Sequence, residues 1–143
     1  MFGIIKNKIG ETLDYTFHEG LANCRDLLLI GHGVTGNKDR PFVIALANAV
    51  SASGVNVIRF SFAGNGDSAG DFRACTISKE VEDLQAVLSV VEEKNYRAIY
   101  AGHSMGGAVG VLAAAKDDRI KFLISLAGMV STEKFYETEF GEE

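Results

Sequence analysis

Five residues, Gly102-His103-Ser104-Met105-Gly106, have the types and spacing that can turn a serine hydroxyl into a nucleophile. A serine attacks poorly unless the backbone presents it and neighbouring groups stabilise the charge that its attack creates. Arg97 to Ala101, before the motif, reads as a strand, and Gly106 to Lys116, after it, reads as a helix of small residues, so Ser104 stands in a strand–turn–helix. That turn is tight, and the residues two before and two after the serine must be nearly free of side chain. Gly102 and Gly106 meet this demand. Gly107, Ala108, Ala113, Ala114 and Ala115 keep the helix slim enough to lie close to a sheet. A Gly-x-Ser-x-Gly pentapeptide alone arises by chance; its strand–helix setting and a matching His-Gly loop upstream set this one apart.

Attack on a carbonyl makes an oxyanion, which two preset N–H donors must hold; loss of one typically slows such reactions by roughly 100- to 1,000-fold. One donor is the Met105 amide, at a helix N-terminus where free N–H groups and a partial positive charge gather. The second is expected from the loop after the first buried strand, His32-Gly33-Val34-Thr35-Gly36-Asn37-Lys38, and is assigned to Val34. Three histidines offer themselves as general base. His103 is the variable residue of the motif, and its strand-end position is expected to direct its ring away from the Ser104 hydroxyl. His32 opens the oxyanion loop and reads as a structural hydrogen bond that holds it. His18 ends an outer strand and reads as solvated. None of them reads as a base, and only Asp117, Asp118 and a few glutamates follow Ser104 as acids.

The elements that must position these residues alternate between strand and helix. Phe2 to Asn7 and Thr12 to Phe17 read as a hairpin about Gly10. Asp26 to Ile30 holds four consecutive apolar residues, as a strand covered on both faces does. A short helix follows from Pro41, with Phe42, Leu46 and Ala49 on one face. Val55 to Phe60 reads as a strand, Gly64 to Gly70 as a loop with Asp67 and Asp71 as turn residues, and the next stretch as a helix ending near Asn95, with Val81, Leu84, Leu88 and Val91 on its buried stripe. Lys121 to Leu126 is expected to be a further buried strand, and Thr132 to Phe140 a helix whose Phe135, Tyr136 and Phe140 form a lid or core cluster. Repeated strand–helix–strand units of this length give a mostly parallel sheet with helices on both faces, an α/β fold with ligands at the strand carboxyl ends. Residues 1–143 read as one domain.

Four segments carry a resemblance: His32 to Asn37, Arg59-Phe60-Ser61-Phe62 leading into Gly64-Asn65-Gly66-Asp67-Ser68, Glu80-Val81-Glu82-Asp83, and Gly102 to Gly107. Across its length the chain resembles the α/β-hydrolase superfamily, and within it the small bacterial carboxylesterases that include cinnamoyl and feruloyl esterases and monoacylglycerol-lipase-like relatives. Asn65 stands where many relatives have histidine. The resemblance implies that Ser104 is the nucleophile, that Val34 and Met105 form the oxyanion hole, and that the substrate is a small or medium acyl ester, with no cofactor. It also implies a chain order of serine, acid, histidine. The fold is therefore expected to be truncated after about the sixth strand, with acid and histidine supplied by a complementary C-terminal segment or a second polypeptide. The alternative is a non-catalytic, degenerate hydrolase that binds a ligand or a partner chain. The apolar Lys121 to Leu126 edge is then expected to be covered in a homo-oligomer.

Composition narrows the rest. The formal net charge is −5, with glutamates at 137, 139, 142 and 143 and no basic block to track phosphates, so nucleic acid is not an expected partner. No apolar run approaches the roughly 20 residues of a membrane span, and Lys6 and Lys8 break the N-terminal apolar patch, so a soluble, cytoplasmic protein without a signal peptide is expected. Cys24 and Cys75 have no metal-ligand or redox spacing. Gly64, Gly66 and Gly70 lack the spacing of a dinucleotide loop.

Overall fold

The computed structural model describes residues 2–141; Met1, Glu142 and Glu143, and with them the tip of the acidic end, lie outside these. The chain runs through β1 (Ile5–Lys6), β2 (Thr12–Leu13), β3 (Tyr15–His18), β4 (Asp26–Gly31), α1 (Pro41–Ala52), β5 (Asn56–Phe60), α2 (Ile77–Glu93), β6 (Arg97–His103), α3 (Met105–Ala114), β7 (Ile120–Leu126) and α4 (Thr132–Phe140). Strands β3-β5-β4-β6-β7 form one sheet in that order, parallel except for β3, which lies antiparallel to β5.

Consecutive apolar residues build the centre of this sheet because both of its faces are covered. Leu27 and Leu29 of β4 enter one apolar cluster, with Leu84, Leu88 and Val109. Leu28 and Ile30, on the opposite face, enter another, with Val43 and Ala47 of α1. Helices α2 and α3 thus cover one face and α1 the other.

Four sequence expectations need correction. The N-terminal hairpin is short: Ile5 and Lys6 pair with Leu13 and Thr12, and the chain then leaves for the main sheet, where Tyr15 lies opposite Phe60 and His18 opposite Val57. Pairing β3 with a central strand satisfies its backbone in a way a lone two-stranded ribbon cannot. Helix α1 buries Val43 and Ala47, with Leu46 and Val50 packed beside them, while Phe42 is turned outwards. Helix α2 buries Glu80, Asp83 and Val87 along with Leu84, Leu88 and Val91, and Val81 is only half-buried. Strand β7 forms as expected but is not buried: Phe122 is 69% exposed and Ile124 43%. It pairs with β6 alone, and among the described residues nothing lies along its outer edge.

Candidate active site

The turn between β6 and α3 is built by close approach. A Cβ on Gly102 would overlap the Gly106 carbonyl, and one on Gly106 would come within 2.6 Å of the His32 carbonyl oxygen. Ser104, between them, has φ 53° and ψ −115°, a region that L-residues rarely occupy and that persists only where surrounding structure enforces it. That enforcement is visible. The Ser104 amide donates to the Leu126 carbonyl (3.0 Å), and the Ser104 carbonyl accepts from Gly107 (2.9 Å) and Met129 (2.9 Å). Tyr100, fully buried in β6, donates its hydroxyl to the Gly106 carbonyl (2.7 Å) and holds the first turn of α3 against the sheet. Burial, with Glu80 nearby, raises the Tyr100 pKa, so the phenol stays a donor.

The loop after β4 faces this turn. His32 is 1% exposed. Its Nδ1 lies 2.8 Å from the Gly33 carbonyl and its Nε2 accepts the Phe62 N–H at 3.0 Å, so Nδ1 carries the proton. Burial pushes its pKa down to about 4, against the opposing pull of the Gly33 carbonyl. A neutral ring with both nitrogens engaged ties the His32–Lys38 loop to the segment after β5 and has no free nitrogen for a proton transfer. The loop is further held by Gly36 N–H to the Gly33 carbonyl (3.0 Å), Lys38 N–H to Ser61 Oγ (3.0 Å) and Arg40 Nη2 to the Thr35 carbonyl (2.8 Å). Among the described residues the Val34 and Met105 amides donate to no protein group, as befits a loop and the first residue of a helix.

Two cavities meet here. One, of about 460 Å³, brings together His32, Gly33, Val34, His103 and Ser104. The other, of about 440 Å³, is shared by Val34 and Met105 and walled by Ile77, Met129 and Phe135. Phe135 of α4 borders both, so this helix roofs the region. Among the described residues no side chain hydrogen-bonds Ser104 Oγ; the His103 ring packs edge-on against Phe42, with centroids 4.8 Å apart. His18 is not solvated as expected: it is half-buried and its Nε2 accepts from Arg59 Nε (2.9 Å). Burial and the Arg59 charge lower its pKa. It stands on β3, at the opposite edge of the sheet from β7. No group of three or more His, Cys, Asp or Glu side chains is placed to hold a metal among the described residues. No helix among them is long and apolar enough to cross a membrane.

Two acids of a segment that carried the resemblance, Glu80 and Asp83, were given no role by the sequence. Asp83 accepts from the Ala63 N–H (2.8 Å) and Asn7 Nδ2 (2.8 Å), tying α2 to the loop after β5 and to the N-terminal ribbon. Glu80 is 1% exposed with both carboxyl oxygens unpartnered among the described residues. The signal was present, since Glu80 falls four residues before Leu84 and Asp83 four before Val87, on the buried stripe of α2.

Residues 22–140 match the serine aminopeptidase S33 family. The chain belongs to that family. Its scaffold is an α/β-hydrolase, as the four segments suggested. Est1E from Butyrivibrio proteoclasticus, solved with ferulic acid bound, superposes with a TM-score of 0.83 at 28% identity, over 94% of this S33 family member and 56% of Est1E. A lidless α/β serine hydrolase from Xanthomonas campestris gives 0.73 at 27% identity, over 85% and 58% of the two chains. A Pyrococcus furiosus esterase shares the fold alone, at 0.84 and 18% identity, over 94% and 53%. A curated relative, an uncharacterized 31.7 kDa protein of Escherichia coli, is 29% identical over 85% of the chain, which spans 44% of that relative's length.

Proposed function

We propose that this chain is the nucleophile-bearing part of a serine carboxylesterase acting on small or medium acyl esters. Ser104 attacks the ester carbonyl, and the Val34 and Met105 amides hold the oxyanion. The observation that carries this reading is the Ser104 backbone, at φ 53° in a strand–turn–helix and bordering a cavity with the His32-Gly33-Val34 loop. The strain holds the hydroxyl at the strand ends, where two adjacent free amides await a developing charge. The ferulic acid bound to Est1E supports a carboxylic ester as substrate class. Ser104 Oγ has no basic partner among the described residues, and the nearby His32 is engaged at both nitrogens. On this reading the general base and its acid are supplied from outside the described residues, by a complementary C-terminal segment or another chain.

The test is hydrolysis of p-nitrophenyl acetate, with fluorophosphonate labelling, by wild type and Ser104→Ala. Labelling that vanishes in the variant is expected. Labelling that persists would sink the assignment of Ser104, and an aminoacyl p-nitroanilide cleaved faster than the acetate would sink the ester reading. Residual turnover without a base, roughly 1,000- to 10,000-fold above water, is compatible with an oxyanion hole acting alone.

A second reading, a non-catalytic hydrolase that binds a ligand or a partner chain, is favoured by the exposed apolar strand β7. Pairing of that edge with another copy predicts a concentration-dependent homo-oligomer. A monomer by light scattering at high concentration would sink the partner-chain form of this reading.

A further inference from the structure

A buried carboxyl with nothing to bind is rare enough to need a reason. Among the described residues Glu80 is such a group, and it lines the cavity it shares with Val34 and Met105, whose other walls include Ile77, Met129 and Phe135. No titratable or charged neighbour hydrogen-bonds it among the described residues. Asp83, on the same helix, is satisfied by Ala63 and Asn7. The Tyr100 hydroxyl on β6 is committed to Gly106, and the Cys75 thiol, before α2, donates to the Ala63 carbonyl (3.0 Å). Arg73, on the cavity wall, is exposed. None of them donates to Glu80. The cavity wall also carries Arg73, Cys75, Thr76, Thr132 and Tyr136, and among the described residues Glu80 is its one buried side chain whose polar atoms have no partner.

We propose that Glu80 is the specificity-determining residue of this cleft, selecting esters whose acyl or alcohol arm carries a neutral hydroxyl over those with a plain alkyl arm. The proposal rests on the reading of Ser104 as the attacking residue, which makes this cleft a substrate cleft. Burial, with Asp83 beside it, pushes the Glu80 carboxyl up to about 8, so it is protonated at neutral pH. A protonated carboxyl has one O–H to give and oxygen lone pairs to receive. A hydroxyl supplies the complementary acceptor and donor in one group. A methyl in its place leaves both ends of the carboxyl unsatisfied, and sites built for a hydroxyl reject the analogue lacking it for that reason. A carboxylate-bearing arm meets the field of Asp83 and is disfavoured as well.

The experiment reads binding and not turnover, so it stands apart from the catalytic reading, which Ser104-dependent labelling decides separately. The full chain carrying Ser104→Ala is titrated by ligand-observed NMR with two isosteric pairs. Methyl ω-hydroxyhexanoate against methyl heptanoate reads the acyl arm, and ω-hydroxybutyl acetate against pentyl acetate reads the alcohol arm. In one pair the hydroxy ester is expected to bind roughly 10-fold more tightly at about pH 6, with the preference shrinking as pH rises through about 8. Adding Glu80→Leu should abolish the preference without weakening the alkyl ester, and adding Glu80→Gln should keep it but remove its pH dependence. Should Glu80→Leu fail to fold, the pH dependence with Glu80 present and its loss in Glu80→Gln decide. Equal binding within both pairs, a preference that survives Glu80→Leu, one unchanged across pH with Glu80 present, or no binding of any ester would overturn the proposal.

Discussion

Strands β4 and β7 carry the same kind of sequence and meet opposite environments. Leu27, Leu28, Leu29 and Ile30 of β4 are at most 5% exposed, while Phe122, Leu123 and Ile124 of β7 are 37% or more exposed. Both are parallel strands separated only by β6. The difference lies in their neighbours. β4 has a strand on either side and helices over both faces; β7 has β6 on one side and α3 over part of one face. An apolar run on a strand specifies that something must cover it, not what does. The Ser104 turn bridges the two regimes, with its glycines packed against the loop after β4 and its serine hydrogen-bonded to Leu126 and Met129 at the end of β7.

Paired truncations sharpen the contrast most. Leu29→Ala should cost about 2–5 kcal/mol in urea unfolding, as large-to-small changes in packed cores do, whereas Phe122→Ala should stay within about 0.5 kcal/mol. Comparable losses at both sites would break the comparison and show β7 covered in solution. At the seam, Gly102→Ala puts a methyl into the Gly106 carbonyl; it should cost about 1–3 kcal/mol and remove Ser104 labelling, which activity-probe gels would read. Full labelling in that variant would mean that the turn tolerates a side chain where the packing leaves no room.

The buried side also holds a pH signature. Glu80 has a folded-state pKa raised to about 8 from 4.5, so the folded state binds more protons than the unfolded state between those values. Stability is then highest below about pH 4.5 as far as this group is concerned, falls as pH rises to about 8 and is level beyond. Glu80→Gln should match wild type near pH 4.5 and exceed it by a few degrees in melting temperature, about 3 °C or more, at pH 8.5. Parallel pH curves would show that Glu80 is not the group responsible. The smallest effect belongs to the edge. Ile124→Lys should change unfolding free energy by no more than about 0.5 kcal/mol yet shift any oligomer towards monomer, since a charge on an exposed edge blocks pairing; light scattering across a dilution series checks it.

Much of the candidate site was legible because its rules are local. The spacing of Gly102 and Gly106 about Ser104 states a steric demand within five residues, and the strand before it and small-residue helix after it follow from periodicity. His32 read as a loop-holding hydrogen bond for the same reason, being fixed next to the glycines it supports. His18, by contrast, read as solvated because its partner Arg59 lies 41 positions away. The second half of the N-terminal hairpin read as one strand because nothing within Thr12 to Phe17 announces that Tyr15 will pair with Phe60.

What the amino-acid sequence by itself determined is the order of strands and helices, the parallel α/β sheet and the strained turn at Ser104, since propensity, hydrophobic period and close-range sterics act over a few residues. Only the tertiary structure decided that Phe42 packs against His103 and that, among the described residues, Asp83 finds two donors and Glu80 none and β7 is bare while β4 is buried. Those outcomes depend on groups far apart in the chain that meet only when the sheet assembles, and a residue's own type says what it needs but not what it will find.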